Sequence, residues 1–482
     1  MSVCPAAAQC PDGTPPPCAA PVAQLRPAPN SIAVLTFENT TRDTSAQYLA
    51  EGLPDQILTR LGGVAQLTVV SRTVVRRLRT ADQLSVQQIG QALNAAYLVN
   101  GTVRAAGGRV HVSVEALRAA SGEAIWSETF DRSADSLLGI DEAVAAEVAS
   151  GVAGRLTLQQ RRGLGGRVTA SGPAYAHFLR GNVLMARRTL ASLRGAIAAY
   201  RAATAADSGF ADAYARLGYA YALCAQWSCG DGDSLLAASR LATARALRLD
   251  PRSSDAWMGR AYARYVWAVV TEGADGDDSV LASLAAFRRA VELNSRNDEA
   301  WHQYGSTLVY VDDSAGLSAL RRALALDPGR AITYAGGLSV VYAWMGRLDL
   351  ALQAVDSAFA LEPDGNFHVF RMNWRMAVGD TAGALEDARA FGATELLAAF
   401  AHDSAAIRLM EVAHPRWCAE GASYLDWTGR REQAVQRLLR CRPSLITRSY
   451  LRWPWLAPLA ADPRIRALRA ACDSILARTH WR

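Results

Sequence analysis

The stretch that decides the fold of this chain is Ala300–Pro328, AWHQYGSTLVYVDDSAGLSALRRALALDP. Its first half places Trp301, Tyr304 and Leu308 on one helical face. An acidic turn follows, and then a second helical pattern with a leucine face that ends at the proline. A helix pair this small cannot bury both apolar faces alone, so the sequence predicts further copies on either side.

The copies are marked by one aromatic position that recurs along the chain. Tyr214, Trp257, Trp301 and Ala335 occupy it, separated by 43, 44 and 34 residues. Tyr214-x2-Leu217-Gly218-x2-Tyr221 resembles the tetratricopeptide signature, and 34 residues is the period of that repeat. The resemblance implies an all-α solenoid of five to seven repeats over residues 173–445. We expect residues 446–482, which include LRWPWLAPLAADPRIRAL, to be a helical cap on the last repeat.

Composition favours a folded protein with a substantial core. The 482 residues are 50% hydrophobic and 20% charged, with a formal net charge of +6. The sequence contains no lysine, so all 51 basic residues are arginines. Acidic residues are dispersed among them, which argues against a nucleic-acid surface. No apolar stretch is long enough to span a bilayer.

Residues 31–156 alternate strand and helix patterns, which predicts a small α/β domain. Val110, Val112 and Val114 alternate with polar residues, as in a half-buried strand. Ser85 and Gln88 have the spacing of a capping box at the start of a helix. The predicted strands are 32–35, 67–70, 97–103, 110–117 and 124–130, and the other predicted helices are 49–61 and 140–152.

Several segments of this domain resemble one known bacterial family, the TolB-like (FlgO-like) N-terminal domain. They are SIAVLTFEN (31–39), YLAEGL (48–53), LTVVSRT (67–73), IGQALNAAYLVNGTVR (89–104) and IWSETFDR (125–132). The family's domain often precedes tetratricopeptide repeats and follows a kinase, cyclase or winged-helix effector. The resemblance implies a domain without known catalytic residues. No effector precedes it in this sequence, so any signalling output is expected to come from another chain or to be absent.

Two segments have no periodic pattern. Residues 1–30 are rich in proline, alanine and cysteine and are predicted to be a flexible leader, and residues 157–172 a linker. The leader has no intact signal peptide, but Ala6-Ala7-Ala8 before Gln9 fits a cleavage site. We therefore expect a periplasmic or cell-envelope protein, with a cytoplasmic location as the alternative.

Eight cysteines include two pairs that are close in sequence: Cys10 with Cys18, and Cys224 with Cys229. One interpretation is local disulfides formed in an oxidising compartment. The other is a set of buried thiols. A metal site at Cys10 and Cys18 is not expected, because no histidine lies nearby.

The first helix of each repeat would line a concave groove, which the resemblance makes a candidate for partner binding. Soft and aromatic side chains recur there, a composition suited to an apolar or aromatic peptide segment. The alternative is that they pack one repeat against the next. The candidate partner-binding residues are Tyr219, Met258, Tyr262, Tyr265, His302, Tyr310 and Trp344.

The two long spacings coincide with acidic insertions, CAQWSCGDGDS (224–234) and VTEGADGDDS (270–279). Equivalent positions in adjacent repeats should place them side by side. A divalent cation or a basic partner would suit such a cluster. Neither insertion has the EF-hand order of ligands, so solvated loops between the helices are the simpler expectation.

We find no catalytic motif in the sequence. It lacks H-E-x-x-H, G-x-S-x-G and Walker sequences, and its seven histidines are scattered. We therefore predict no metal, no cofactor and no enzymatic activity. The expected function is a scaffold that binds a protein or peptide in the groove. The alternative is a sensory or regulatory component whose kinase or cyclase is another protein.

Overall fold

A computed structural model describes residues 27–41, 46–76, 84–133, 137–154, 168–271, 276–393 and 425–479, together with isolated positions between them. Within these ranges the predicted fold class is confirmed: a small α/β unit is followed by an all-α solenoid of stacked helix pairs. Most of the predicted leader and linker lies outside the described residues.

The N-terminal unit is built on a mixed six-stranded sheet. Its strand order is β3-β1-β4-β5-β6, and β2 pairs with β4 beyond the end of β1. The parallel pairs are β1 with β3, β1 with β4 and β2 with β4, while β4, β5 and β6 are antiparallel. The strands are β1 (Ser31–Val34), β2 (Glu38–Asn39), β3 (Thr68–Val69), β4 (Tyr97–Ala106), β5 (Arg109–Arg118) and β6 (Ala124–Ser133).

Side-chain alternation along β1 explains how helices cover both faces of this sheet. Ile32 and Val34 point into the core formed with α1 and α4, whereas Ala33 packs with α2 and α3. The predicted capping box at the start of α3 is present, with Ser85 and Gln88 each accepting from the other's backbone amide. These helices are α1 (Gln47–Gly62), α2 (Arg72–Arg76), α3 (Val86–Ala92) and α4 (Ile140–Ala153).

Helix pairs then follow one another from residue 172 to residue 391. Within this region, a π-helical segment (Thr333–Leu338) continues directly into α13. The helices are α5 (Gly172–Ala186), α6 (Leu190–Ala206), α7 (Ala211–Gln226), α8 (Gly232–Leu249), α9 (Ser254–Thr271), α10 (Gly276–Leu293), α11 (Asp298–Leu308), α12 (Asp313–Leu326), α13 (Ser339–Trp344), α14 (Leu348–Leu361), α15 (His368–Ala377) and α16 (Thr381–Phe391).

Small residues let the two helices of a pair approach closely. A Cβ added to Gly218 of α7 would lie 2.4 Å from Thr243 Cγ2 of α8, and one added to Gly305 would lie 2.8 Å from Leu320 Cγ. The two tryptophans of the repeat signature hydrogen-bond the preceding turn in equivalent ways. Trp257 Nε1 donates to the carbonyl oxygen six residues earlier at 3.0 Å, and Trp301 Nε1 does the same.

Residues 227–231 of the first acidic insertion form the turn between α7 and α8, and the helices on either side of the second insertion are longer than those of the next pair. Helix α9 has 18 residues and α10 has 18, against 11 in α11 and 14 in α12. Asp231 accepts a hydrogen bond from the Ser234 amide and so caps α8. Glu272 and Asp275 lie outside the described residues, and Asp278 is exposed at the start of α10. A helix cap therefore accounts for the best-defined acidic side chain.

The α/β unit packs directly against the solenoid, a contact that the sequence did not predict. Arg296, in the turn between α10 and α11, donates to three carbonyl oxygens near the end of α1, those of Gly62, Val64 and Leu67. Thr73 Oγ1 of α2 donates to Asp327 at 2.8 Å. Because these bonds join residues more than 200 positions apart, they fix the sheet relative to the helix pairs.

The C-terminal part forms α17 (Arg431–Leu438), α18 (Leu445–Tyr450), a 3₁₀ segment (Pro454–Ala461) and α19 (Pro463–Arg478). A separate hydrophobic cluster joins α17, the 3₁₀ segment and α19. Helix α18 instead packs against α10 and belongs to the main core of the solenoid. No helix among the described residues is long and apolar enough to cross a membrane.

Candidate protein-interaction groove

Five of the predicted partner-binding residues form a continuous row of rings, which we call the aromatic ladder. Its members are Tyr219, Tyr262, Tyr265, Tyr310 and Trp344. Successive ring centroids are 5.1, 6.0, 5.9 and 5.8 Å apart. These are ordinary distances for aromatic pairs. The ladder runs across successive first helices because side chains at equivalent positions of stacked repeats become neighbours.

The ladder is not the open surface that the sequence suggested. Tyr219 and Tyr262 are 1% and 3% exposed, and the predicted sites Met258 and His302 are also buried. Burial raises the pKa of Tyr262 well above its ordinary value. A partner cannot reach these four side chains in this conformation. The inter-repeat packing that we gave as the alternative therefore describes this half of the groove.

The other three candidates, Tyr265, Tyr310 and Trp344, are only half-buried. Successive rings meet edge to face, at 66° for Tyr265 with Tyr310 and 84° for Tyr310 with Trp344, and the two tyrosine hydroxyl oxygens are 3.3 Å apart. Burial raises the pKa of both tyrosines, so both remain neutral donors and acceptors at neutral pH. This end of the ladder is where contact with another segment is sterically possible.

The C-terminal segment of the same chain, Leu445–Trp455, occupies that contact, and we call it the tail segment. Leu445 and Ile446 are buried in the same cluster as Met258 and Tyr262. Ser449, one turn further along, lies beside Tyr310 and donates its hydroxyl to the Ile446 carbonyl oxygen at 2.7 Å. The tail segment therefore follows the ladder outward from its buried half.

Arg452 and Trp453 complete the tail's contact with the ladder. The Arg452 guanidinium lies 5.1 Å from the centroid of the Trp344 ring and forms an ion pair with Asp313 at the start of α12. The Trp453 ring lies 5.9 Å from Trp344 at 85° and stacks on Trp374 at 5.4 Å and 15°. Within the predicted cap of residues 446–482, Arg452 also reaches back to α12, 139 positions earlier.

A charged cluster organises the buried end of the groove around Glu299. Its carboxylate accepts from Arg188 and Arg330, each at 2.7 Å, from Tyr219 Oη at 2.5 Å and from Gln303 at 3.2 Å. Burial works to raise the pKa of Glu299, but the two arginine charges outweigh it and hold the pKa well below its usual range. Glu299 is thus ionised and serves as the central acceptor of the cluster.

His302 lies beside this cluster with its Nδ1 3.1 Å from Thr333 Oγ1. Burial, together with the charges of Arg330 and Arg188, lowers the pKa of His302 to about 3, against the opposing charge of Glu299. The ring is therefore neutral at neutral pH. Its position in the core makes it part of the packing between α11 and the π-helical segment that begins at Thr333.

The His302→Asn substitution is expected to make the protein less sensitive to acid. Between pH 6.5 and 3, His302 is protonated in the unfolded chain but stays neutral in the folded protein. The free energy of unfolding therefore falls as pH falls, by up to about 1.4 kcal/mol per pH unit from this residue. Asparagine keeps a partner for Thr333 without this titration. Denaturant unfolding at pH 6.5, 5.5 and 4.5 measures the difference between the two proteins. Parallel pH dependences would contradict the buried, neutral histidine.

Asp55 and Asp212 titrate in the opposite direction and are present in both proteins of this comparison. Burial raises the pKa of each to about 6, so each favours folding below its unfolded pKa and loses that contribution as pH rises through 6. Their contributions cancel when the variant is compared with the parent protein. The comparison therefore isolates His302.

The structure places a disulfide between Cys224 and Cys229, whose Cα atoms are 5.1 Å apart. The bond closes the turn between α7 and α8 at the base of the first insertion. Cys441, just before the tail segment, is also disulfide-bonded. Cys10 and Cys18 lie outside the described residues. No group of three or more potential metal-ligating side chains occurs among the residues that were placed.

Comparison with known proteins finds a family match over part of the chain. Residues 28–145 match a family described as HilA/YgeH-like transcriptional regulator, second domain. This span coincides with the predicted α/β domain, and the match does not support the TolB-like assignment. The "Putative adenylate cyclase 3" of Rhizobium meliloti (strain 1021) is 29% identical over 154 residues, which are 31% of this chain and 26% of that protein. The chain thus spans about a quarter of this relative's length.

Solved structures similar to this chain include tetratricopeptide proteins. TTC0263, a thermophilic TPR protein of Thermus thermophilus, is 19% identical, with a TM-score of 0.36 over 42% of this chain and 98% of its own. YrrB, described as a TPR protein with an unusual peptide-binding site, is 24% identical, with a TM-score of 0.25 over 40% of this chain and 89% of its own. These scores are too low to support a conclusion about function.

Proposed function

We propose that this chain is a non-enzymatic interaction protein whose solenoid binds a protein or peptide segment along the exposed end of the aromatic ladder. The observation that carries this proposal is the tail segment, which lies on Tyr310 and Trp344 as a peptide ligand would. Rings that offer both apolar faces and hydroxyl groups suit such a segment.

Affinity capture from the native cell, followed by mass spectrometry, tests this function. The tagged full chain is compared with Trp344→Ala and with Trp227→Ala, a matched loss of an exposed tryptophan outside the ladder. We expect Trp344→Ala to lose the captured partner by tenfold or more and Trp227→Ala to retain it. Equal capture by all three proteins, with equal thermal stability, would contradict binding at the ladder.

A second candidate is the sensory or regulatory component of a signalling system. It is supported by the N-terminal unit, since the residues of that unit match a domain of a regulator family. The TolB-like assignment, with an effector on another chain, is the finer form of this candidate. A kinase or cyclase gene beside this gene would favour it, and the absence of such a gene would favour the scaffold alone.

We further propose an oxidising compartment, the periplasm or cell envelope. The disulfides at Cys224–Cys229 and at Cys441 support it, because such bonds are rare where thiols are kept reduced. In protein trapped with an alkylating reagent in the native cell, Cys224 and Cys229 are expected to stay unmodified until reduction. Modification of both thiols without a reductant, read by peptide mass, would instead place the protein in a reducing compartment.

A further inference from the structure

We propose that the tail segment occupies the partner's binding site in the free protein. The partner displaces it with a segment of the same chemistry. That segment carries two aliphatic residues and, six residues later, an arginine next to an aromatic residue. This inference rests on the proposed binding function and adds the kind of partner and the way it gains access.

The arginine of the segment is recognised by three features of the groove. Arg452 lies over the Trp344 ring, forms an ion pair with Asp313 and approaches the Val309 carbonyl oxygen at 3.4 Å. Its side chain is only 13% exposed. A planar guanidinium can stack flat on a ring and donate in its plane at the same time, whereas a lysine ammonium is a compact point charge that cannot stack. The groove therefore selects arginine over lysine.

The aromatic residue is recognised by two tryptophans from different repeats. Trp453 meets Trp344 edge to face and stacks on Trp374. An aromatic side chain gains from both geometries, and an aliphatic one gains only the burial. This position accordingly selects a flat ring next to the arginine.

The aliphatic residues anchor the other end of the segment. Leu445 and Ile446 are 0% and 1% exposed and extend the main core of the solenoid. Arg452, six residues after Ile446, reaches Trp344 at the other end of the ladder. A partner segment with the same spacing can therefore make all three contacts at once.

The tail's own fit leaves two polar groups unsatisfied, which makes it replaceable. Among the described residues, neither the Trp344 nor the Trp453 indole N–H has a hydrogen-bond acceptor, although both are buried. A buried donor without an acceptor disfavours the contact that buries it. A partner segment that offers a carbonyl or carboxylate oxygen to the Trp344 N–H therefore has a higher intrinsic affinity for the ladder than the tail segment has.

Because the tail belongs to the same chain, it competes at a high effective concentration. The intact protein consequently binds a free segment more weakly than a protein whose tail has been loosened. The affinity difference between the two proteins is a direct measure of the tail's occupancy.

A labelled peptide of residues 444–456, SLITRSYLRWPWL, serves as the probe in fluorescence anisotropy titrations of the full chain. We expect it to bind Arg452→Ala/Trp453→Ala at least tenfold more tightly than the unchanged protein. Adding Trp344→Ala to that variant should remove the gain, and a peptide with lysine for its arginine should bind at least threefold more weakly. Arg464→Ala, which removes an exposed arginine outside the groove, is the control and should bind like the unchanged protein.

Two results of the peptide titrations would overturn the inference. One is equal binding by the unchanged protein and the double variant, and the other is no binding by a double variant with an unchanged circular dichroism spectrum. If the double variant does not fold, Arg452→Lys takes its place and should bind the peptide at least threefold more tightly. Concentration-dependent dimers of the unchanged protein would assign the groove to the tail of a second copy and would also overturn it. A partner captured through Trp344 that the peptide fails to displace would leave the proposed function standing without this inference.

Discussion

Glu299→Ala is expected to lower the free energy of unfolding by about 3 kcal/mol, because it removes the carboxylate that Arg188 and Arg330 share; Arg330 keeps its ion pair with Asp298, and Arg188 loses its carboxylate partner. The Glu299 side chain is 12% exposed, that of Arg330 is 16% exposed and that of Arg188 is 33% exposed. Their ion pairs are therefore much less screened than surface pairs. Tyr219 and Gln303 also lose an acceptor, which adds to the cost. Urea unfolding at pH 7 gives the difference.

Glu432→Ala is the matched control for this prediction. Glu432 pairs with Arg464 at 2.9 Å, but both side chains are exposed and screened by water, so the loss of stability should be much smaller. A Glu299→Ala variant as stable as the Glu432→Ala variant would show that the charged cluster does not hold the groove together. We expect the midpoint of unfolding of the Glu299→Ala variant to lie at a clearly lower urea concentration than that of the Glu432→Ala variant.

Gly305→Val is expected to cost about 3 kcal/mol, at the upper end for overpacking in a well-packed interior. A Cβ at this position would lie 2.8 Å from Leu320 Cγ, 2.9 Å from Leu320 N and 3.0 Å from the Gly316 carbonyl oxygen. Two of these three atoms belong to the backbone of α12 and cannot rotate away. Helices α11 and α12 must separate to admit the side chain, so the pair that defines the repeat is disrupted.

Gly232→Val is the control, because a Cβ at Gly232 meets no atom within 4 Å. It should change stability by less than about 0.5 kcal/mol, as surface substitutions usually do. Thermal and denaturant unfolding of both variants measure the difference. If Gly305→Val were as stable as Gly232→Val, the close approach of α11 and α12 would be refuted.

The sequence predicted the fold well because its signals are local. Alternation in Ile32–Val34 and the cap at Ser85 depend on neighbouring residues, and so does the spacing of Trp301 and Gly305 within one helix. Each of these patterns is complete within a few turns of chain. The sequence did not show that the helices beside the second insertion are long, because length alone cannot distinguish a long loop from a lengthened helix.

The groove was harder to predict because its state depends on distant contacts. The sequence identified the rings of the aromatic ladder, since repeat spacing puts Tyr265 and Tyr310 on equivalent positions. It could not show that Arg452 lies on Trp344 more than 100 residues away. Nor could it show that Arg296 holds the sheet against the solenoid. An arginine beside tryptophans near the end of the chain was the only signal for the first of these contacts.

Photocrosslinking from the position next to Trp344 tests the central claim most directly, the claim that the ladder receives a segment of another protein. A benzophenone amino acid replaces Met345, which is 47% exposed, in the Arg452→Ala/Trp453→Ala chain, and the control carries it at Leu241, which is 74% exposed on α8. Irradiation in the native cell is predicted to link position 345, but not position 241, to a second protein, and the 444–456 peptide should suppress that link. Crosslinks from position 345 that stay within the chain, or the same products from both positions, would contradict the account.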